Sequence, residues 1–498
     1  MPEVFKKTLD TPVFKGELEV NTGLFINGQW VDGSEQSYID VINPTTGTLL
    51  TRVSQGTPAD VDLAVSAAHT AFTSTWGHNT PGASRGVLLN KLANLMDEHR
   101  GQLSALEALD NGKTFSWARN ADLELAIGAV RYYAGWADKI QGRTIETTKD
   151  KLAYTVHEPI GVVALIIPWN FPILIGAWKL APALAAGNTV IIKPSEFTPL
   201  TMLYLAHLAH LAGFPPGVIN VVNGTGPIVG NALTHHAGVD KVGFTGSTPV
   251  GRQVLEASAR TNLKDVTLEL GGKSPNIIFE DADLEQAVRW AVMGIFWNDG
   301  QTCSAGSRVF VHAKIYDAFL EQFTAAAKAL KTGDPFDPAN WNGPLVSQQH
   351  FDRVLGYIAS GKEEGATVHL GGSRQGTAGY FVEPTIFTNV TPTMRIVREE
   401  IFGPVAVVIK FSDDADVVRQ ANDTVYGLAA AVFTKNVDRA LVTARELKAG
   451  TVWVNCVNSI EPAVPFGGYK QSGMGRDLGE YALHHYTSVK AVHINLGK

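Results

Sequence analysis

Two cysteines occur in the 498 residues, Cys303 and Cys456, and their surroundings differ. A lone cysteine is ordinarily a small buried hydrophobe, and Cys456, in the apolar run TVWVNCVN, reads that way. Cys303 stands in NDGQTCSAGSR, a polar, glycine-containing loop just ahead of a new element. A thiol there is accessible, and free N–H groups would lower its pKa from about 8.5. Glu269 is the second candidate. In VTLELGG, Leu268 and Leu270 face one way and Glu269 the other, at the end of a strand. Such a carboxyl is either a solvated surface charge or, if unpaired, a general base of raised pKa working through water.

Loops that follow other strand-like runs add polar groups. Asn170 in Pro168-Trp169-Asn170-Phe171-Pro172 could donate its amide to a developing oxyanion. Lys193-Pro194-Ser195-Glu196 closes a strand, and a carboxylate there could accept both hydroxyls of a ribose, the acidic role expected for NAD. The run GTGPIVG, with Gly226 and Gly230, imitates a dinucleotide fingerprint without completing it. Gly246, Ser247 and Val250 sit between the strand KVGFT and a helix whose first turn holds Pro249 and can face a phosphate. Each of these, taken singly, is more often an ordinary turn than a site.

The elements that must position these residues show a clear rhythm. Residues from about 60 to Trp136 have helical periodicity. From residue 154, short β-rich runs (GVVALIIP, TVIIKP, VINVVNG, KVGFTG, VTLELGG) alternate with helical segments. This predicts a parallel sheet with helices on both faces, a Rossmann-like doubly wound α/β unit. After Gly271-Gly272 a less regular alternation runs to about residue 470, a second α/β domain. The closing run SVKAVHINL alternates as a strand and needs a partner edge from another segment or another subunit.

Composition narrows the function classes. Apolar residues are 45% and charged residues 18%, which excludes global disorder. Lys and Arg total 41 against 48 Asp and Glu, a net charge of −7, so no footprint for nucleic acid or anionic membrane is present. Two cysteines cannot build a disulfide framework or a thiolate zinc site, no metal is expected, and a reducing compartment fits. The apolar runs are too short to span a bilayer, and the first residues show neither a signal-peptide core nor a transit-peptide composition. The expected location is cytoplasmic.

Together, PWNFP (168–172), KPSE (193–196), FTGST (244–248), LELGGKSP (268–275), GQTCSAGSR (300–308), EEIFGP (399–404) and PFGGYKQSGMGR (465–476) resemble the aldehyde dehydrogenase superfamily over nearly the whole chain. The likeness is closest to its broad-substrate, NAD(P)-dependent class 1/2 members. It implies the aldehyde dehydrogenase fold, with an NAD-binding domain at 1–140 and 160–270 and a catalytic domain at 271–470. A small β oligomerisation arm, 141–159 with 486–498, would complete a neighbour's sheet in a homotetramer built as a dimer of dimers.

The resemblance also implies roles. Cys303 is the nucleophile, Glu269 the base, Asn170 with the Cys303 N–H the oxyanion hole, and Lys179 a lysine linked to proton transfer near the base. Lys193 and Glu196 hold the adenosine ribose, Ser247 meets the pyrophosphate with Trp169 close by, and Glu400 and Phe402 position the nicotinamide end. Ile167, Pro168, Ser195, Gly226, Gly230, Phe244, Gly246, Val250 and Leu270 complete the cofactor site, for NAD by preference with NADP possible. Phe171, Leu174, Trp178, Phe296, Thr302 and Phe466 line the substrate tunnel, whose apolar wall suits aliphatic and aromatic aldehydes. Two positions depart from the family: Asp477 stands where a glutamate is frequent, and Thr302 and Ser304, not further cysteines, flank Cys303. A CoA-acylating semialdehyde dehydrogenase is the nearest rival but lacks the base glutamate. A non-catalytic structural homologue is the other, and it would need neither Cys303 nor Glu269.

Overall fold

In the computed structural model, which describes residues 2–497, the apolar runs of the middle of the chain become buried parallel strands. Val162–Ile166 (VVALI) and Thr189–Lys193 (TVIIK) are buried at every position, as strands covered on both faces must be. They pair with each other, Thr189–Lys193 also with Ile219–Val221 and Val162–Ile166 with Lys241–Thr245, which in turn pairs with Asp265–Glu269, all in parallel. Across the sheet the order is Asp265–Glu269, Lys241–Thr245, Val162–Ile166, Thr189–Lys193, Ile219–Val221. The chain therefore leaves its first strand toward one edge and returns to build the other. The switch falls between Val162–Ile166 and Lys241–Thr245, and a crevice opens beyond the carboxyl ends of strands at such a point.

The doubly wound unit expected from the alternation is present, with additions at both edges. Leu24–Ile26 and Gln29–Val31 form a hairpin on one side, and Gly473–Met474 pairs antiparallel with Asp265–Glu269 on the other. Helix Pro172–Ala186 (PILIGAWKLAPALAA) is apolar around nearly its whole circumference and buried at every residue. It starts on Pro172 and stops at Gly187, whose φ of 97° is left-handed.

A second sheet of seven strands runs in the order Thr367–Leu370, Thr385–Thr388, Val405–Phe411, Arg308–His312, Pro275–Ile278, Ala429–Phe433, Thr451–Val454. Its pairs are parallel except the first. One apolar cluster includes Val163 and Leu165 of the first sheet and Ile278 and Val311 of the second, so the two α/β units share a core. Among the described residues, no helix is long and apolar enough to cross a membrane.

The terminal strand takes its partner from its own chain. Thr487–Asn495 pairs antiparallel with Lys151–Pro159 along the whole strand, from Thr487 opposite Pro159 to Asn495 opposite Lys151. Thr144–Ile145 lies on the far side of the same strand. The sheet that the terminal strand completes is thus the arm of this chain, because a full register is available locally. Its outer edge carries exposed Val489 and Ile494.

Deleting Ser488 onward uncovers the edge of Lys151–Pro159. An unpaired edge recruits other chains, so the truncated protein is expected to aggregate or change its assembly state in light scattering. A truncated protein with the particle mass and soluble yield of the full chain contradicts this.

Candidate active site

The crevice at the switch point holds two adjoining cavities, of about 640 Å³ and about 340 Å³. The larger is walled by Ile167, Pro168 and Trp169 after the first parallel strand and by Lys193, Ser195 and Glu196 after the second. Gly226 and Gly230 follow from the turn beyond Ile219–Val221, and Phe244, Gly246, Ser247 and Val250 from the end of the fourth. The smaller shares Pro168, Trp169, Gly246 and Ser247 with it and adds Asn170, Glu269, Leu270, Cys303, Glu400 and Phe402. Every residue expected at the cofactor, and three of the four expected in catalysis, therefore borders one continuous space.

Local chain chemistry shapes each wall. Helix Thr248–Arg260 has Ser247 as its N-cap, yet the Ser247 side chain makes no capping bond and Pro249 sits in the first turn. The first-turn N–H groups are left without the usual cap, which suits an anion in the crevice. Lys193 Nζ lies 3.4 Å from Glu196 Oε2, and the Gly226 N–H donates to Glu196 Oε1 at 3.5 Å. Burial lowers the Lys193 pKa while Glu196 pulls it back up.

The loop before Cys303 is built from three consecutive left-handed residues, Asn298, Asp299 and Gly300. Asn and Asp tolerate that conformation better than other side chains. Gly300 has no alternative, since a Cβ there would sit 2.0 Å from the Gly403 carbonyl oxygen. The two glycines after Glu269 do similar work. A Cβ on Gly271 would meet Glu400 Oε2 at 2.4 Å, and one on Gly272 would meet the Cys303 carbonyl oxygen at 2.3 Å. Their absence of side chain lets the Gly272 N–H donate to Glu400 Oε1 at 2.9 Å. Asn170 Nδ2 donates to the Gln301 carbonyl at 2.9 Å, leaving its second N–H unassigned.

Electrostatics separates the open readings. Glu269 is buried, not a surface charge, and its Oε2 has no hydrogen-bond partner. Burial raises its pKa well above the usual range and Asp477 adds to the rise, while Lys179 and Arg476 oppose it. For Cys303 the expected lowering is corrected. Burial, then the carboxyls of Glu400 and Glu269, push the thiol up to about 12, against opposing N–H contacts from Ser304 and Cys303. Glu400 itself is raised to about 7 by burial.

The fourth expected catalytic residue lies under the cavity. Lys179 is fully buried in helix Pro172–Ala186 and donates to Asp477 Oδ2 at 2.7 Å. The shorter side chain at 477 still completes this pair.

None of the six expected tunnel residues walls either cavity. Phe171, Leu174, Trp178 and Phe466 are buried side by side, with the Trp178 and Phe466 rings 5.7 Å apart. Thr302 borders a separate small cavity with Gly272 and Glu400. Phe296 is a correction: it has no exposure and stacks on Phe323 at 5.9 Å, in the core. Its neighbour Trp297 packs against Phe171 instead, at 5.1 Å. One residue turns about 100° around a helix, so adjacent positions at the end of Leu284–Phe296 pack against different neighbours.

Residues that sequence reasoning missed come from helix Gln348–Glu363. Gln349, His350 and Arg353 border the smaller cavity. His350 Nε2 is 2.7 Å from the Phe402 carbonyl oxygen, its ring packs on Trp169 at 4.9 Å, and burial lowers its pKa to about 4. The only signal was Ser347 three residues ahead, whose side chain accepts from the His350 N–H as a helix cap.

Comparison with known proteins agrees along the full length. The sequence model described as "Aldehyde dehydrogenase family" matches residues 30–492. An aldehyde dehydrogenase of Agaricus bisporus is 60% identical over 496 residues, covering 100% of this chain and 99% of that protein. Aldehyde dehydrogenase 1A1 of Gallus gallus is 51% identical over 477 residues, 95% of this chain and 94% of that protein. The NAD+ complex of a Bacillus cereus aldehyde dehydrogenase superposes with a TM-score of 0.94 at 50% identity, covering 96% of this chain and 97% of that one.

The glycine contacts make a graded prediction. Gly300→Ala meets fixed backbone in a left-handed conformation and should cost about 1–3 kcal/mol or more. Gly271→Ala meets the mobile end of Glu400 and should cost less while displacing that carboxyl. Denaturant midpoints test the order; equal midpoints for the two variants contradict it.

Proposed function

Since this chain belongs to the aldehyde dehydrogenase family, we propose that it oxidises aldehydes to carboxylic acids through a thiohemiacetal and then a thioester on Cys303. What carries the reading is that Cys303, Glu269 and Asn170 border one cavity continuous with the crevice at the switch point. The crevice fits NAD. Glu196 and Lys193 suit a ribose, the uncapped first turn at Ser247 suits the pyrophosphate, and Trp169, Glu400 and Phe402 suit the nicotinamide end. NAD, when bound, supplies the acceptor for the hydride that the aldehyde carbon gives up.

The chain's own groups do the rest. The Cys303 thiol must first lose its proton, a loss that burial and the neighbouring carboxyls of Glu400 and Glu269 oppose. The thiolate adds to the carbonyl carbon, and the resulting oxyanion takes the second N–H of Asn170 and the Cys303 N–H. In the second half Glu269 removes a proton from water, which attacks the thioester and releases acid. A buried base with an unpartnered oxygen favours hydrolysis over transfer to CoA. The side chains packed beyond Asn170, among them Phe171, Trp178 and Phe466, are apolar and carry no charge to clamp a substrate carboxylate, which favours uncharged aliphatic and aromatic aldehydes. We read the protein as a cytoplasmic homotetramer; two free cysteines fit a reducing compartment, and the exposed edge of Thr487–Asn495 offers a contact surface.

Two measurements follow. Glu269→Gln should give a burst of NADH near one per site and then turnover reduced about 100-fold or more, because the thioester persists without the base. Normal steady-state rates without a burst refute the role. Burial raises both the Cys303 thiol and the Glu269 carboxyl, and each reacts only in its deprotonated form. The kcat/KM should therefore rise as pH increases from about 6 to 9; a flat or falling profile contradicts the account.

A further inference from the structure

The turn that carries Asn170 is gripped from one side by a buried polar segment. Asn111 Nδ2 donates to the Trp169 carbonyl at 2.6 Å, and Lys113 Nζ donates to the Asn170 carbonyl at 3.0 Å. Glu107 Oε1 accepts from the Ile173 N–H at 2.9 Å. Lys113 Nζ also sits 3.9 Å from the centroid of the Phe171 ring. A single segment thus contacts Trp169, Asn170, Phe171 and Ile173.

Lys113 is itself held on the other side. It makes a close ion pair with Asp122, and Glu107 Oε2 is 3.9 Å away. Asp122 ends the π-helical turn Ala118–Asp122, an irregularity that interrupts the helical run at this point. Glu107, Lys113 and Asp122 are all buried, and burial pushes Glu107 up to about 7 and raises Asp122 as well. A buried ion cluster is a costly way to join elements that apolar residues could join. Its contacts with the Asn170 turn supply a reason for it to be there. Asn298 Nδ2 donates to the same Asn170 carbonyl at 3.1 Å, which ties this grip to the loop of Cys303.

We infer that Lys113 is a positioning residue for the reaction: through the Asn170 carbonyl and the Phe171 ring it fixes the direction in which the Asn170 amide meets the substrate oxygen. The inference rests on the reading of Asn170 as an oxyanion donor. Lys113 borders neither cavity of the crevice, and it acts by geometry. A misdirected donor of this kind costs on the order of 10–100-fold in rate.

The test is a double-mutant cycle on the full-length protein. Lys113→Met keeps the apolar stem and removes the charge and the donors. Its kcat for acetaldehyde oxidation should fall about 10–100-fold, with KM changed less than about threefold and NAD affinity little changed. In Lys113→Met/Asn170→Ala the kcat should be no more than about twofold below that of Asn170→Ala alone, because both variants remove one interaction. Losses that multiply, or full kcat in Lys113→Met, overturn the inference while leaving Asn170's role intact. Full kcat in Asn170→Ala refutes the reading of Asn170, and the inference falls with it. Should Lys113→Met not fold, Asp122→Asn keeps the shape and loosens Lys113. A smaller loss in kcat at unchanged NAD affinity supports the inference, and full kcat overturns it.

Discussion

A carboxyl group carried by the last residue of a buried strand has little access to water, and Glu269 is such a group. Burial disfavours its charged form, and the rest of the site is arranged around that fact. One oxygen has no partner, Asp477 lies close enough to disfavour charge further, and the Lys179 ammonium opposes both effects from below. The same dry environment raises the Cys303 thiol and the Glu400 carboxyl. Burial thus disfavours the charged form of three acids in one pocket. A standing thiolate is disfavoured in such a pocket, and the thiol loses its proton only as the reaction begins.

Such a pocket exists only because backbone segments approach one another unusually closely. Gly271 and Gly272 admit Glu400 and the Cys303 loop against the strand end, and Gly300 lets that loop pass under Gly403. The sheet contributes the other half of the construction. Parallel strands put all their carboxyl ends on one side, so the loops after Ile166, Lys193, Thr245 and Glu269 reach the same crevice despite more than a hundred residues between the first and last.

Much of this was legible in the chain itself. Strand-then-loop periodicity located the crevice, and polar residues directly after strands, Asn170, Glu196, Ser247 and Glu269, were recognisable because apolar alternation stops there. Contacts between distant segments were not legible. The partner of Thr487–Asn495 depends on register with Lys151–Pro159, and the exchange of Phe296 for Trp297 depends on how a helix ends. The direction of the Cys303 pKa could not be read from a polar loop, since the burial that raises it, and the two carboxyls that add to it, come from elsewhere in sequence. Lys113 lay unnoticed in the short connection between Arg100–Asp110 and Phe115–Trp117, because nothing local marks a charge that will be buried.

The central claim is that the substrate becomes covalently attached to Cys303. Acid-quenching the enzyme during turnover with NAD and an aromatic aldehyde, followed by peptide mass spectrometry, addresses it most directly. The account predicts an acyl adduct on the peptide containing Cys303 and none on that containing Cys456, with both the adduct and turnover abolished in Cys303→Ala. Turnover that persists in Cys303→Ala, or an adduct on another residue, would contradict it.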